Sequence, residues 1–239
     1  MIVPQASPVL DGSPQPRAAR KPSHISQALR SIQVNAAPPE YLGSEFEVRP
    51  ILNDEELDQV YRITHDAFVE TGFWPPQRDG RIVHCPHLDR IPETTVLAAT
   101  LGGEIIGTIS WTRDGPHGLA ADSEFKAECD GIRTEGLRLG SIWRLATRSI
   151  CRNDRNVVLS LIQETVHGVV GAGLQTTIIT MNPRHEKIYR RMLNMTTVAR
   201  KDSHGPNNPP AVLMRMNTDR VPQRWLSAAP LAEFIAYKE

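Results

Sequence analysis

Hydrophobic positions change their period several times along this chain, and each change marks an element. Phe46-Glu47-Val48-Arg49-Pro50 alternates as a short strand does. Asn53 followed by Glu56 is the signature of a capped helix start. Behind it Leu57, Val60, Tyr61, Thr64 and Phe68 recur at helical spacing as one apolar stripe, which Gly72 ends. Two β-rich runs, 94–100 and 104–111, flank Gly102-Gly103 and predict a tight antiparallel hairpin, with room for a short helix before it. Residues 122–132 read as a helix and 141–150 as a strand. Val158, Leu161, Ile162, Thr165, Val166 and Val169 predict a long helix closed by Gly171 and Gly173. The β-branched run 176–181 predicts a buried strand, and Asn182-Pro183 opens the next helix, to about Asn194. A last strand over 211–216 and a terminal helix over 225–237 complete the series. The fold class is α/β (α+β): a central, largely antiparallel sheet flanked by helices on both faces.

Composition sets the domain limits. Residues 1–45 hold Pro4, Pro8, Pro14, Pro16, Pro22, Pro38 and Pro39 among Ser, Ala and Gln, the composition of a disordered tail with room for a brief helix at 26–34. One domain over 46–218 and a helical extension over 219–239 follow. Lys+Arg and Asp+Glu are both 27, so no global field steers the chain onto nucleic acid, and a charged partner must meet a local patch. Cys85, Cys129 and Cys151 form neither a disulfide framework nor a CxxC pair, which fits a reducing cytoplasm. No apolar run reaches the roughly 18 residues that begin to span a bilayer.

Several short motifs lie in a telling order: Tyr61-Arg62, Phe68-Val69-Glu70 and Gly72; Ile91-Pro92-Glu93-Thr94-Thr95; Gly118-Leu119-Ala120-Ala121-Asp122; Glu128; Ile132-Arg133; Arg144-Leu145-Ala146; and Tyr189-Arg190-Arg191. Over residues 46–218 this arrangement resembles the N-acyl amino acid synthases of the FeeM type, which are themselves similar to acyl-homoserine-lactone synthases and share the GNAT acyltransferase fold. The resemblance implies transfer of a long-chain fatty acyl group from acyl carrier protein to the α-amino group of an amino acid, with tyrosine a candidate acceptor. No cofactor is implied, because phosphopantetheine arrives on the donor. An acetyl-coenzyme A-dependent N-acetyltransferase and a non-catalytic GNAT-like module binding lipid or protein are the alternatives.

Two departures stand out. GNAT enzymes carry a glycine-containing loop that cradles the coenzyme A pyrophosphate, whereas Cys151-Arg152-Asn153-Asp154-Arg155-Asn156-Val157 has no glycine and favours a donor without pyrophosphate. Ser141 stands where related synthases tend to have an acid.

Acyl transfer to an amine needs a base, a held carbonyl and oxyanion donors. Glu128 and Glu135 are base candidates or members of a solvated helix face, and Ser141 can position a water. Strict alternation would place Ile142, Arg144, Ala146 and Arg148 on one face of their strand. Arg144 there binds a substrate carboxylate bidentately or pairs with an internal acid. Phe73, Trp74, Trp111 and Trp143 line the substrate site or pack in the core. Thr147, Arg148, Arg152 and Arg155 are the donor-side set, a basic cluster suited to an acidic carrier protein. His84-Cys85-Pro86-His87 offers too few ligands for zinc and reads as a metal-free loop. Cys151 has no identifiable histidine partner and reads as an inert thiol.

Overall fold

The computed structural model describes residues 46–151, 155–203 and 205–227. The tail of residues 1–45, Arg152 and most of the terminal helix lie outside the described residues. Seven strands form one sheet in the order β1-β2-β3-β4-β5-β7-β6. They are β1 (Glu47–Pro50), β2 (Thr94–Leu101), β3 (Glu104–Arg113), β4 (Leu139–Thr147), β5 (Thr176–Met181), β6 (Thr196–Lys201) and β7 (Ala211–Asn217). Neighbours are antiparallel except β4 and β5.

Helices α1 (Asp54–Glu70) and α2 (Asp122–Arg133) cover one face, and α3 (Arg155–Gly171) and α4 (Glu186–Leu193) the other. Val60, Ile63 and Ala67 of α1 pack on Val96, Ala98 and Ala146. Val158, Leu161 and Ile162 of α3 pack on Leu97, Ile109 and Ile142, residues of the opposite face. Asn53 caps α1 by accepting the Glu56 amide at 3.0 Å. The Glu56 carboxylate does not close the reciprocal box on Asn53. It accepts the Leu52 amide (2.8 Å) and holds Arg49, so the helix start is tied to β1. Gly102 and Gly103 make the hairpin turn with φ of 59° and 83°, a conformation open to few residues with side chains.

Three sequence expectations need correction. β6 is an additional strand at the sheet edge. Its outward positions Thr196, Val198 and Arg200 are exposed, as edge strands commonly are, and the segment has no fully buried face to give it a clear apolar period. The helix expected from Asn182 opens as a 3₁₀ turn, Pro183–His185, before α4 begins. The third correction concerns β4. Thr108 faces Ala146 while Ser110 faces Trp143, so Arg144 and Leu145 together oppose Ile109 in a β-bulge. Arg144 takes up the bulge with a φ of 57°. Alternation breaks there. Ile142 packs toward α3, whereas Trp143, Arg144 and Ala146 all contact the α1 side.

Candidate active site

The parallel ladder of β4 and β5 ends at Ile142 and Ile179, although both strands continue. The strands part beyond this point, and a cavity of about 150 Å³ opens between them. Ser141, Trp143, Arg144 and Leu145 come from β4, and Thr180 and Met181 from β5. Phe68, Phe73, Trp74 and His84 build an aromatic wall, and Ala120, Ala121 and Glu124 at the start of α2 another. Asn182, His185 and Tyr189 close the β5–α4 side. Pro206, Pro209 and Pro210 of the β6–β7 loop reach across, and Asn207 donates to the Gly72 carbonyl at 3.2 Å.

Two hydroxyls on this wall, Ser141 Oγ and Thr180 Oγ1, are buried without a hydrogen bond. Buried polar atoms are rarely left so, and a ligand in the cavity is a natural partner for both.

Arg144 stands at the bulge with its side chain wholly enclosed. Nη2 meets Asp89 Oδ1 at 2.6 Å, Nε and Nη2 contact Ser110 Oγ, and the guanidinium lies 4.4 Å over the Trp143 ring. Tyr61 donates its hydroxyl to the other Asp89 oxygen at 2.9 Å. Burial, reinforced by that bond to Asp89, pushes the Tyr61 hydroxyl up to about 12. Arg144 thus has an internal acid as partner, and only Nη1 remains without a hydrogen bond. Of the two roles the sequence left open for Arg144, the pairing with an internal acid is the one formed, and with Nη2 on Asp89 a bidentate grip on a substrate carboxylate is not open to it.

The other anticipated residues divide. Ser141, Trp143, Phe73 and Trp74 share the wall with Arg144. Trp111 lies away from the cavity, its indole against Gly168 of α3. Glu135 is clamped bidentately by Arg215 (2.6 Å twice), whose hydrogen bonds hold its carboxyl below the usual range. Neither Glu135 nor Glu128 lines the cavity. Thr147 is buried with its methyl beside Gly107 of β3 and does not line the cavity. Arg148 borders a separate open groove with Arg62, Asp66 and Glu70, and pairs with Glu104 at 2.6 Å. Arg155 is the first residue of α3 and is buried. Arg155 therefore does not share an exposed face with Arg148, and Arg152 lies outside the described residues.

Sequence reasoning missed Thr180, Glu124 and His185, and weighed His84 only as a metal ligand. The β6–β7 loop and the residue 82–89 segment carry no periodicity that points inward. Cys85 beside His84 is buried, which pushes its thiol up to about 11, and Cys151 is buried as well. Among the described residues no three potential ligands gather for a metal ion, and no helix is long and apolar enough to cross a membrane.

The model of the FeeM N-acyl amino acid synthase family matches residues 59–217. The chain belongs to this family. It is accordingly an N-acyltransferase. Among solved structures it is similar to FeeM from uncultured soil microbes, with 23% identity and a TM-score of 0.63 over 80% of this chain and 98% of that one. The coenzyme A-dependent acyl-homoserine lactone synthase BjaI shares the fold at 16% identity and a TM-score of 0.57, covering 82% of this chain and 92% of its own. A GNAT-family acetyltransferase from Streptococcus pneumoniae does so at 15% identity and a TM-score of 0.51, over 72% and 99%. No curated protein matches the chain. GNAT architecture, with its central splayed strands, is thus the frame in which the FeeM-family cavity sits.

Proposed function

We propose that this protein is a cytoplasmic N-acyl amino acid synthase, with residues 46–218 as its catalytic domain, that moves a long-chain fatty acyl group from acyl carrier protein to the α-amino group of an amino acid, tyrosine being the first acceptor to test. The observation that carries this reading is the cavity at the β4–β5 splay. Its wall is largely apolar and aromatic, as an acyl chain and an apolar acceptor require, with a few polar atoms set into it. Arg144 Nη1 offers one charged donor for the acceptor carboxylate. The Ser141 and Thr180 hydroxyls are available to the amide or thioester groups of the donor. Tyr189 lines the cavity, and burial drives the pKa of its hydroxyl upward, so it stays protonated and can offer the departing sulfur a hydrogen bond.

Support for a carrier protein comes from a different surface than the sequence suggested. Lys187, Arg190, Arg191, Arg200 and Lys201 are exposed on α4 and β6, and Glu186 is the one acid between residues 184 and 201. Arg190 and Arg200 share that carboxylate, which leaves the face strongly basic on a chain with no net charge. Tyr189 belongs to the same helix, so an acidic carrier docked here stands beside the cavity. The glycine-free segment ahead of α3 is consistent with a donor lacking pyrophosphate.

Incubation with long-chain acyl carrier protein, the matching acyl-coenzyme A, acetyl-coenzyme A and a pool of amino acids, read by mass spectrometry, tests the proposal. N-acyl amino acid formed from the carrier-bound donor is the expected product. Efficient acetyl transfer without long-chain transfer would replace this reading with an ordinary acetyltransferase.

A further inference from the structure

An ammonium group is no nucleophile, so N-acylation needs a proton acceptor within reach of the amine. The glutamates that sequence reasoning favoured do not supply it, since both lie off the cavity wall and Glu135 is committed to Arg215. Among the side chains on the wall, His84, Glu124 and His185 carry the atoms able to accept a proton from the amine. Arg144 is permanently charged, and the Tyr189 hydroxyl is shifted the wrong way.

His185 accepts a hydrogen bond from Arg184 Nε at Nε2, 3.3 Å away, which engages one of its ring nitrogens. Glu124 is only half-buried, in the first turn of α2. His84 is held differently. Its loop is fixed at both sides: the Ile82 amide donates to the Tyr61 carbonyl of α1 (3.2 Å), and Asp89 is gripped by Tyr61 and Arg144. Cys85 and Leu88, between these anchors, are buried against Trp143 and Ala120. The imidazole is then oriented by three rings, edge-on to Phe68 (6.1 Å) and Trp74 (5.9 Å) and tilted against Trp143 (5.9 Å). The buried ion pair, the bulge that aims Arg144 at it and the aromatic wall thus combine to hold one loop histidine beside the β4 residues of the cavity. A general base on a loop requires such support, because a displacement of about 1 Å is enough to lower rates severely.

We propose that His84 is the general base of the transfer and contacts the acceptor amine. This rests on the N-acyltransferase reading above. His84 takes the extra proton of the bound ammonium, and the neutral amine attacks the thioester carbonyl, forming a C–N bond. As the C–S bond breaks, the proton that the nitrogen still sheds passes to the departing thiolate, which leaves as the thiol. The imidazolium then returns its proton to solvent. The charged and titratable groups around His84 are Cys85 and Asp89 of its own loop, Tyr61 of α1, Arg144 of β4, Glu124 of α2, and Arg184, His185 and Tyr189 of the β5–α4 side.

The test uses the full chain, long-chain acyl carrier protein and L-tyrosine, with kcat/KM for tyrosine followed from pH 5 to 9. Wild-type turnover establishes the functional reading before any variant is compared. The profile is then expected to rise between about pH 5 and 8, the range in which an imidazole loses its proton. His84→Gln should lower kcat/KM at pH 7 by about 10²–10⁴-fold and abolish that limb, while His185→Gln retains it. A second measurement is independent of turnover: the imidazole resonance that vanishes in His84→Gln should shift when L-tyrosine is added to the wild-type protein. A wild-type profile with no limb in this range, a limb that survives in a folded His84→Gln, a limb lost in His185→Gln or Glu124→Gln instead, or a His84 resonance indifferent to the amino acid would each overturn the assignment.

Discussion

Arg144 and Asp89, far apart in sequence, meet through a 2.6 Å ion pair from which solvent is excluded on both sides. The pair joins the bulge of β4 to the loop that carries His84, so one interaction sets two parts of the cavity wall. Taking two charges out of water is expensive, and only the pairing and the added bonds to Tyr61 and Ser110 offset it. Removing one partner leaves the other buried and unpaired. We expect Asp89→Asn to lower stability by about 3–5 kcal/mol in urea unfolding. The double variant Arg144→Met, Asp89→Leu should regain most of that loss yet turn over the acceptor poorly. Full recovery of both stability and turnover would assign the pair to folding alone and remove Arg144 from acceptor binding.

The element order was readable from periodicity because most elements here have a clean apolar face, and α1, the hairpin and β5 fall within a few residues of their expected limits. The site was less readable, for a physical reason. A bulge shifts the side of the sheet on which each later residue lies, and nothing in Ile142-Trp143-Arg144-Leu145 marks where the extra residue falls. The partner of Arg144 sits in a loop without pattern. His84, Glu124 and Pro206 reach the same cavity only once the chain has folded back on itself. Ser141 was legible through its family position, and Phe73 and Trp74 through their aromatic character.

The approach of β4 to its neighbours limits what Gly140 can become. A Cβ at this position would stand 2.6 Å from Leu174 Cδ1 and 3.0 Å from the Thr112 carbonyl oxygen of β3. The leucine tip can move aside, but the strand carbonyl cannot without disturbing the β3–β4 ladder. Gly140→Ala should therefore destabilise the protein by about 1–3 kcal/mol, seen as a lower Tm, and reduce turnover by shifting the neighbouring Ser141. An unchanged Tm would show that β4 has more room than its contacts indicate.

The basic face of α4 and β6 yields a prediction about the donor. Lys187 and Arg191 are exposed and lie outside the cavity wall, so replacing both with Ser removes charge without touching the reacting groups. Encounter with an acidic carrier should slow, and kcat/KM for acyl carrier protein should fall several-fold at low salt. Acyl-pantetheine, which has no carrier surface, should be used as before. The difference should narrow as salt rises, because exposed charges are screened beyond about 8 Å at physiological ionic strength. Equal losses with both donors would place the effect in the helix itself and not in docking.

Acid should loosen the cavity wall through α2. Arg133 bonds Asp114, Asp122 and Asp130, and Asp122 also accepts the Leu119 amide at 2.7 Å, which pins the turn leading to Ala120 and Ala121. Burial alone would raise the Asp122 carboxyl, but hydrogen bonds from Arg133 and Leu119 outweigh it and hold it below the usual carboxylate range. Asp130 is lowered too, first by Lys126 and then by Arg133. A carboxylate whose folded pKa is depressed contributes stability that is fully present above its unfolded value, about 4. That contribution is lost as pH falls through the lower folded value. Arg133→Gln should accordingly reduce Tm at pH 7, with the gap to wild type holding at pH 5 and shrinking as melts are repeated at pH 4 and 3. The variant should also raise KM more than it lowers kcat, since Ala120 and Ala121 touch the cavity while Arg133 does not. A gap in Tm that stays constant down to pH 3 would mean that Arg133 acts through packing of its stem, and its three carboxylate bonds would carry little of the stability of this wall.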